Sequence, residues 1–532
     1  MNDRPPSDES GPSNDDGTGP PPSATERTES DGTEPDANSG DGDEVADSIT
    51  EGDLIRPLIG LAWPIVVIQL LQVTYNIADT LWLGRLSTDA VGAISLAFPL
   101  IFLLIAVAGG FTTAGAILVA QYTGAKGDRS AGLVTGQTVS FVGLLSVVIG
   151  IVGYFYTRPA LELLPSDPET SASIIPLAAD YMEVIFMGIP LMFGFFIFSA
   201  LMRGYGDTRT PMFVMVVSVG LNVFLDPFFI FGFAGNPLFE WLSLGGLETS
   251  LHAATGFTGL GIEGAALATI LSRGVGTGIG LWLLFGTGIG PAVTFEHLRP
   301  DFEVIEDIIR LGTPSMVEQS TSALAMITLT AMIVTFTPPV VAAYGLGNRL
   351  ISLVFLPAMG LGRAIDTMVG QNLGAGRADR ASRATWLAAG TGAGVMAVVA
   401  IVAVAFTEPI VAAFMGDVPD APATIANGVE YVRIRSVEFA FIGVTQVILG
   451  AFRGAGNTRT AMVISILTLW FGRVGSVYIL VFLFEWGATG VWVGMALGNI
   501  VGAVVGVAWF LRGTWKDRYI EDPAIDADKT IS

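Results

Sequence analysis

The chain has no cysteine and only two histidines, His252 and His297. The first absence excludes disulfides, zinc–thiolate centres and cysteine nucleophiles. The second leaves too few imidazoles for a histidine-rich metal site. Charge is scarce as well: 14% of the 532 residues are charged, against roughly 25% in soluble proteins. Positive charge is the scarcer kind, with 26 Lys+Arg against 48 Asp+Glu and a net charge of −22. No basic surface for nucleic acid can be built from that balance. Lysine stands at three positions only, Lys126, Lys516 and Lys529, and an acidic, lysine-poor chain fits a halophilic archaeon. What the sequence does have is 51% hydrophobic residues, the composition of a polytopic membrane protein.

Residues 1–53 hold 16 acidic residues and two arginines, Arg4 and Arg27, with no apolar run. This stretch is expected to be a disordered acidic tail, and it lacks the apolar core of a signal peptide. From Leu54 onward, apolar stretches alternate with short Gly/Asp/Arg/Pro breaks. A bilayer-spanning helix needs about 20 apolar residues, and on that criterion spans fall near 57–83, 89–122, 130–157, 173–202, 209–233 and 259–285. Six more fall near 305–335, 340–373, 382–407, 423–452, 459–484 and 487–511. The expected organisation is an N-lobe over 54–290, a linker over 291–303, a C-lobe over 304–515 and a C-terminal tail over 516–532. Even-numbered loops carry Lys126, Arg129, Arg203, Arg209, Arg299, Arg310, Arg377, Arg380, Arg383, Arg453 and Arg459, whereas odd-numbered loops carry only Arg85 and Arg158. That bias puts both termini in the cytoplasm of a multi-pass plasma-membrane protein.

A single offset of 250 residues aligns the two halves. It pairs Pro64 with Pro314, Gln69 with Gln319 and Tyr181 with Tyr431. Gln121-Tyr-Thr-Gly-Ala matches Gln371-Asn-Leu-Gly-Ala, and Arg203-Gly-Tyr-Gly-Asp matches Arg453-Gly-Ala-Gly-Asn. The sixth spans align instead at 226 (Gly261 with Gly487), so the first half carries 24 extra residues around 234–258. Six spans per repeat insert both halves the same way. The fold class is therefore all-α integral membrane, with twelve helices in two six-helix lobes related by a parallel repeat, a transporter plan.

Ionisable groups at membrane depth are costly, so each needs a partner or a use. The first span carries Gln69, Gln72, Asn76 and Asp79 on one helical face, and the fifth carries Ser218, Asn222 and Asp226. The sixth offers Thr269, with Arg273 one turn further. By depth, Asp79, Asn222, Asp226 and Thr269 could converge as oxygen ligands for a hard cation such as Na⁺. At the 250 offset Asp79 maps to Leu329, Asn222 to Gly472 and Asp226 to Ser476, so the carboxylate cluster belongs to one lobe only. Burial beside a like charge favours protonation, so H⁺ and Na⁺ would compete for the same oxygens. Pro227 frees the Val223 carbonyl beside the cluster, and Pro64 is the expected kink in the first span. Glu318 in the seventh span is the next functional candidate. Asp366 with Arg363, and Glu438 with Arg433 and Arg435, read as intramembrane ion pairs.

These residues resemble the multidrug and toxic compound extrusion (MATE) transporters over about 54–515, most closely their DinF-like prokaryotic branch. The motifs are Asn-Ile-Ala-Asp79-Thr-Leu-Trp, Arg203-Gly-Tyr-Gly-Asp207-Thr-Arg-Thr-Pro, Asn222-Val-Phe-Leu-Asp226-Pro, Gly261-Ile-Glu-Gly-Ala-Ala-Leu-Ala-Thr269 and Val369-Gly-Gln-Asn-Leu-Gly-Ala. The resemblance implies a V-shaped pair of lobes and alternating access. It also implies export of amphipathic, often cationic compounds in antiport with Na⁺ or H⁺. No enzyme activity and no cofactor are implied, and a monomer in the lipid bilayer is expected. The branch's cation site falls on Asp79, Asn222, Asp226 and Thr269, with Gln72, Asn76 and Met215 as weaker drug-contact candidates. Glu318 approximately matches a C-lobe glutamate of another branch, whose aspartate has no clear match, Glu438 lying about one turn off. A lipid or lipid-linked-sugar flippase is the alternative, left open by Arg273, Arg349, Arg363 and Arg473. Gly204-Tyr-Gly-Asp207 and Pro159-Ala-Leu mimic intramembrane aspartyl proteases. The first recurs as Gly454-Ala-Gly-Asn457 without its carboxylate, so a shared loop explains it better. No GxxxxGK[ST] string exists for an ATP-driven pump.

Overall fold

Long apolar stretches have no water to satisfy their backbone, so they must close their own hydrogen bonds as helices. The structure, a computed structural model, describes residues 46–162, 168–413 and 421–520, and all regular structure among them is helical. The first lobe contains α1 (Ile55–Leu86), α2 (Thr88–Gly124), α3 (Asp128–Glu162), α4 (Pro168–Tyr205) and α5 (Arg209–Phe231). Two short helices follow, α6 (Pro237–Trp241) and α7 (Gly245–Thr255), and then α8 (Ile262–Gly286). The second lobe contains α9 (Phe302–Ile333), α10 (Pro338–Gly374), α11 (Ala378–Ala405), α12 (Thr407–Ala413), α13 (Ala421–Ser436) and α14 (Phe439–Gly454). It ends with α15 (Thr458–Leu483) and α16 (Gly487–Phe510). Ten of these helices are long and apolar enough to cross a membrane, and α13 with α14 makes an eleventh, bent span. The twelfth, α9, has the length at 32 residues. Its first turns carry Glu303, Glu306, Asp307 and Arg310, which lower its hydropathy.

Within the first lobe α4 is the central helix, packed on α2, α3 and α8; in the second, α14 plays that part against α10, α11 and α16. Between the lobes α2 packs on α9, α10 on α1, and α2 on α10. The first two pairs are repeat mates, so the internal repeat also organises the interface. Its tightest point is a reciprocal crossing of α2 and α10. A Cβ on Gly124 would lie 2.0 Å from the Gln371 carbonyl oxygen, and one on Gly374 would lie 1.9 Å from that of Gln121. Only glycine allows the two backbones this close.

Three local features depart from the expected spans. The tenth span is not one helix: α13 and α14 meet at a 50° bend around Val437 and Glu438. The eleventh changes to π-helical winding over Leu467–Gly475 and Ile479–Leu483. Residues 46–53 fall within the expected solvated tail, but 46–50 form a helical turn with Ala46, Ile49 and Thr50 buried. The reason is a set of basic partners at the start of α11. Arg377 Nη1 donates to the Thr50 carbonyl (2.6 Å), and Arg380 donates to the carbonyls of Gly52 (2.8 Å) and Glu51 (2.7 Å). The rest of the expected tail, residues 1–45, lies outside the described residues. The other chain end docks on the same face, where the backbone N–H groups of Tyr519 and Ile520 donate to Gln121 Oε1 (2.9 and 3.3 Å).

Pro64 stands inside α1, which runs unbroken from Ile55 to Leu86. Having no N–H, it leaves the carbonyl of Gly60 without its helical donor. Thr208 Oγ1, at the start of α5, donates to that carbonyl at 3.5 Å. Next to it, Asp207 caps α5 by accepting from the N–H groups of Arg209 (2.9 Å) and Thr210 (3.0 Å). That capping role accounts for the protease-like string.

Candidate functional site: a buried oxygen cluster in the first lobe

Asn222 and Asp226 lie one turn apart on α5, and the Asn222 Nδ2 group donates to Asp226 Oδ1 at 3.0 Å. Asp79, on α1, faces them from across the helix pair, alongside Asp226, Asn222 and Tyr75. Thr269, on α8, completes the set through a 2.7 Å hydrogen bond between its hydroxyl and that of Tyr75. The four residues are 0–5% exposed. Three of their oxygens, Asp79 Oδ1, Asn222 Oδ1 and Asp226 Oδ2, are fully enclosed yet accept no hydrogen bond from any of the described residues. Leaving a buried polar atom unsatisfied costs about 1–3 kcal/mol. A cation or a proton in that spot would satisfy all three acceptors. The donor set is oxygen only, which fits a hard cation. Among the described residues no cluster of His, Cys, Asp and Glu has the make-up of a resident metal centre.

The surroundings explain how the cluster is held. Tyr181 on α4 is buried in the neighbourhood of both carboxylates. Ser218 Oγ ties α5 to α8 by donating to the Ser272 carbonyl at 3.0 Å. The inserted segment around 234–258 closes the end of α5: Asn236 Nδ2 donates to the carbonyls of Pro227 and Gly232, both at 2.8 Å. Trp241 of α6 lies over α1, with its ring 5.2 Å from that of Trp82 and 4.3 Å from the Arg85 guanidinium. Tyr75, Tyr181 and this covering segment are not among the site residues expected from the sequence. Tyr75 was detectable as the residue one turn before Asp79, and Tyr181 as a tyrosine repeated at Tyr431.

The weaker candidates fall beside the cluster. Arg273, one turn after Thr269, donates through Nη2 to Gln72 Oε1 at 2.5 Å, and its Nη1 lies 2.9 Å from the Met215 sulfur. Gln72 Nε2 donates in turn to Asn76 Oδ1 at 3.3 Å. Gln72 and Asn76 are half-buried, whereas Met215 is enclosed in the lobe.

Glu318 is not in this cluster. It accepts from Arg453 Nη1 at 2.8 Å, while Arg453 Nε donates to Asp366 Oδ1 at 3.3 Å and Arg363 pairs with Asp366 Oδ2 at 3.4 Å. Glu438 pairs with Arg435 and accepts from Asn499 Nδ2 at 2.7 Å. Arg433 is not part of that pair. Of the arginines that left a flippase open, Arg349 is exposed, Arg363 is paired and Arg273 is enclosed in the first lobe. Arg473 lies in the π-helical stretch of α15, its Nε enclosed without a partner.

Similarity to known proteins follows the same architecture. The MatE family profile matches residues 64–228 and 314–479, two segments that begin 250 residues apart. The chain is 27% identical over 462 residues to the probable multidrug resistance protein YoeA of Bacillus subtilis, covering 86% of this chain and 93% of that one. It is 27% identical over 481 residues to the probable multidrug resistance protein NorM of Thermotoga maritima, covering 88% and 94%. A multidrug resistance MATE family transporter of the MOP superfamily, solved in an outward-facing conformation, superposes with a TM-score of 0.76 at 24% identity. That match covers 89% of this chain and 98% of the solved one, and shares the fold.

Proposed function

The chain belongs to the MatE family of membrane transporters, and from that premise we infer that it exports amphipathic, often cationic, small molecules in exchange for Na⁺ or H⁺. The carrying observation is the trio of enclosed, unpartnered oxygens at Asp79, Asn222 and Asp226. A Na⁺ held there would draw on those three and on the Thr269 hydroxyl. A proton would sit between the two carboxyls. Either ion is cargo moving down its gradient, and each inward positive charge is worth about 2.3 kcal/mol per 100 mV. Coupling requires that drug and cation favour different conformations. Helix α1 is suited to carry that change, because it holds Asp79, Gln72 and Asn76 and contains Pro64. The other conformation requires the face sealed by the α2–α10 crossing to open, which is alternating access. The excess of Lys and Arg in the loops of that face supports a cytoplasmic position for it and for both termini. The names of the relatives support multidrug export as the activity.

The test uses purified protein in proteoliposomes, with an imposed Na⁺ or H⁺ gradient driving the cationic dye rhodamine 123. The expected result is gradient-driven transport that Asp79→Asn and Asp226→Asn each abolish. Transport that survives both substitutions would remove coupling from this cluster and make Glu318 the next target. A dye that moves under neither gradient would favour the flippase reading.

A further inference from the structure

Arg273 can only donate hydrogen bonds, and it remains charged throughout the accessible pH range. It is 3% exposed and sits over three aromatic faces, with its guanidinium carbon 5.3 Å from the Tyr75 and Phe195 ring centres and 5.9 Å from that of Phe196. Its side chain makes no ion pair among the described residues, and its Nη2 contact is the carbonyl end of the Gln72 amide. That contact fixes the polarity of everything beyond it. With Oε1 turned inward to the arginine, Gln72 must present its NH₂ outward, and that NH₂ meets Asn76 Oδ1. Asn76 in turn must turn its own NH₂ away from Gln72. A buried cation has thus set two amides in series, each with its donor end pointing away from Arg273.

The direction of that relay is marked by a third residue. Gln69 lies three residues before Gln72 on the same face of α1, and its Nε2 group lies 3.8 Å from Met359 Sδ on α10, in the other lobe. The stripe Gln69, Gln72, Asn76 therefore lies on the lobe-facing side of α1, and Gln72 and Asn76 are both partly exposed there.

We propose that Arg273 is a specificity-determining residue that acts through the Gln72–Asn76 relay, giving this wall of the inter-lobe space a donor surface that selects amphipathic compounds bearing a carboxylate. This rests on reading the space beside Gln72 and Asn76 as the substrate path. A cationic drug alone gains nothing from outward N–H groups backed by a positive charge. A carboxylate gains charge-assisted hydrogen bonds from those N–H groups. The zwitterionic amphiphile is the class that suits both this wall and the acidic cluster one turn away.

Rhodamine 110 and its methyl ester, rhodamine 123, form a matched pair differing in a free carboxylate. Equilibrium binding of each to the detergent-solubilised full chain is read by fluorescence anisotropy, with no gradient present. Wild type is expected to bind rhodamine 110 at least as tightly as rhodamine 123. Arg273→Met is expected to weaken rhodamine 110 about tenfold and rhodamine 123 about twofold or less, the scale of one lost charge-assisted hydrogen bond. Asn76→Leu, at a partly exposed position that does not disturb the core, should move the ratio the same way and carries the test if Arg273→Met fails to fold. Equal weakening of both dyes, an unchanged ratio, or no binding of rhodamine 110 by wild type would overturn the proposal. Because no ion gradient enters, this binding ratio is read on wild type, Arg273→Met and Asn76→Leu alone, and its failure is distinguishable from a failure of gradient-driven transport.

Discussion

The Gln121 side chain of the first lobe donates to the carbonyl of Gly454 in the second at 3.0 Å. Add 250 to one residue and subtract it from the other, and the same bond recurs: Gln371 donates to Gly204 at 3.1 Å, and to Tyr205 at 2.9 Å. Each lobe thus inserts an amide into the end of the other's helix, satisfying carbonyls that a helix terminus leaves without a donor. The crossing glycines, Gly124 and Gly374, allow the approach. Duplication explains why a glutamine kept in both halves yields two bonds across the interface.

Gln371→Ala should therefore weaken the sealed face more than it weakens either lobe. Losing the bonds to two buried carbonyls is expected to cost about 1–3 kcal/mol. Since the natural chain has no cysteine, Thr367→Cys provides a single reporter, at a buried residue whose hydroxyl donates to the Arg203 carbonyl at 2.9 Å. Alkylation of that cysteine should be several-fold faster in the Gln371→Ala background. An unchanged rate would mean that the glutamines do not hold the face shut.

Much of this arrangement could be read from the chain itself. Span count, the 250-residue repeat and the asymmetric placement of Asp79, Asn222 and Asp226 all follow from hydropathy and self-comparison. Those signals are periodic and local. The bend at Val437 and Glu438 was hidden, because summed hydropathy carries no direction. The π-helical winding of α15 was equally hidden. It goes with a close contact, a Cβ on Gly498 coming within 2.6 Å of the Arg473 Cβ, and one strand of sequence does not reveal such a contact. The Arg273–Gln72 bond joins residues 201 apart, with no repeat to expose it. Ala46, Ile49 and Thr50 do show helical spacing, but five residues cannot hold a helix unaided; the arginines of the second lobe hold it.

The pair Glu318–Arg453 separates an architectural from a coupling role. Arg453 bridges Glu318 and Asp366 with little solvent access. Arg453→Ala strands Glu318 and leaves Asp366 with Arg363 alone; it is expected to destabilise the protein by about 3–5 kcal/mol, read as a lowered thermal unfolding midpoint in detergent. Glu318→Gln keeps an acceptor for Arg453 and should lose less. With rhodamine 123 transport intact in that variant, Glu318 is a structural partner. With transport lost while the unfolding midpoint holds, it is a second coupling site.

His297 gives a pH dependence outside the membrane-spanning helices. Burial, with Arg129 beside it, holds its imidazole below the ordinary histidine value. Its Nδ1 accepts from the Thr294 backbone N–H at 3.3 Å, and its carbonyl accepts from Gln137 on α3 at 2.7 Å. The neutral ring is thus the form the fold prefers. Its stabilising contribution is complete above the ordinary imidazole value and is lost as pH falls toward the depressed one. Hydrogen exchange at 294–299 should accelerate over that window, and His297→Asn, which keeps an acceptor without titrating, should flatten the change. A profile unaffected by His297→Asn would assign the pH response to another group.

The docked segment 46–53 poses a question that salt can answer. Two kinds of contact hold it: ion pairs, from Lys126 to Asp47 (3.1 Å) and from Arg377 to Glu51 (2.6 Å), and the Arg380 donors to main-chain carbonyls. Exposed ion pairs are screened by salt, the Debye length falling to about 3 Å at 1 M, whereas hydrogen bonds from a guanidinium to carbonyls depend on contact geometry and are screened less. Arg380→Ala should then release the segment at every salt concentration, and Lys126→Ala chiefly at low salt. Glutamyl endopeptidase cleavage after Glu51 reports the release. Arg380→Ala is expected to speed it about tenfold, the effect of losing one to two kcal/mol of local stability, roughly. If salt abolishes the Arg380→Ala effect as fully as that of Lys126→Ala, the segment is held by charge alone. It would then detach in a salt-rich cytoplasm, and it could not help keep the two lobes closed on that face.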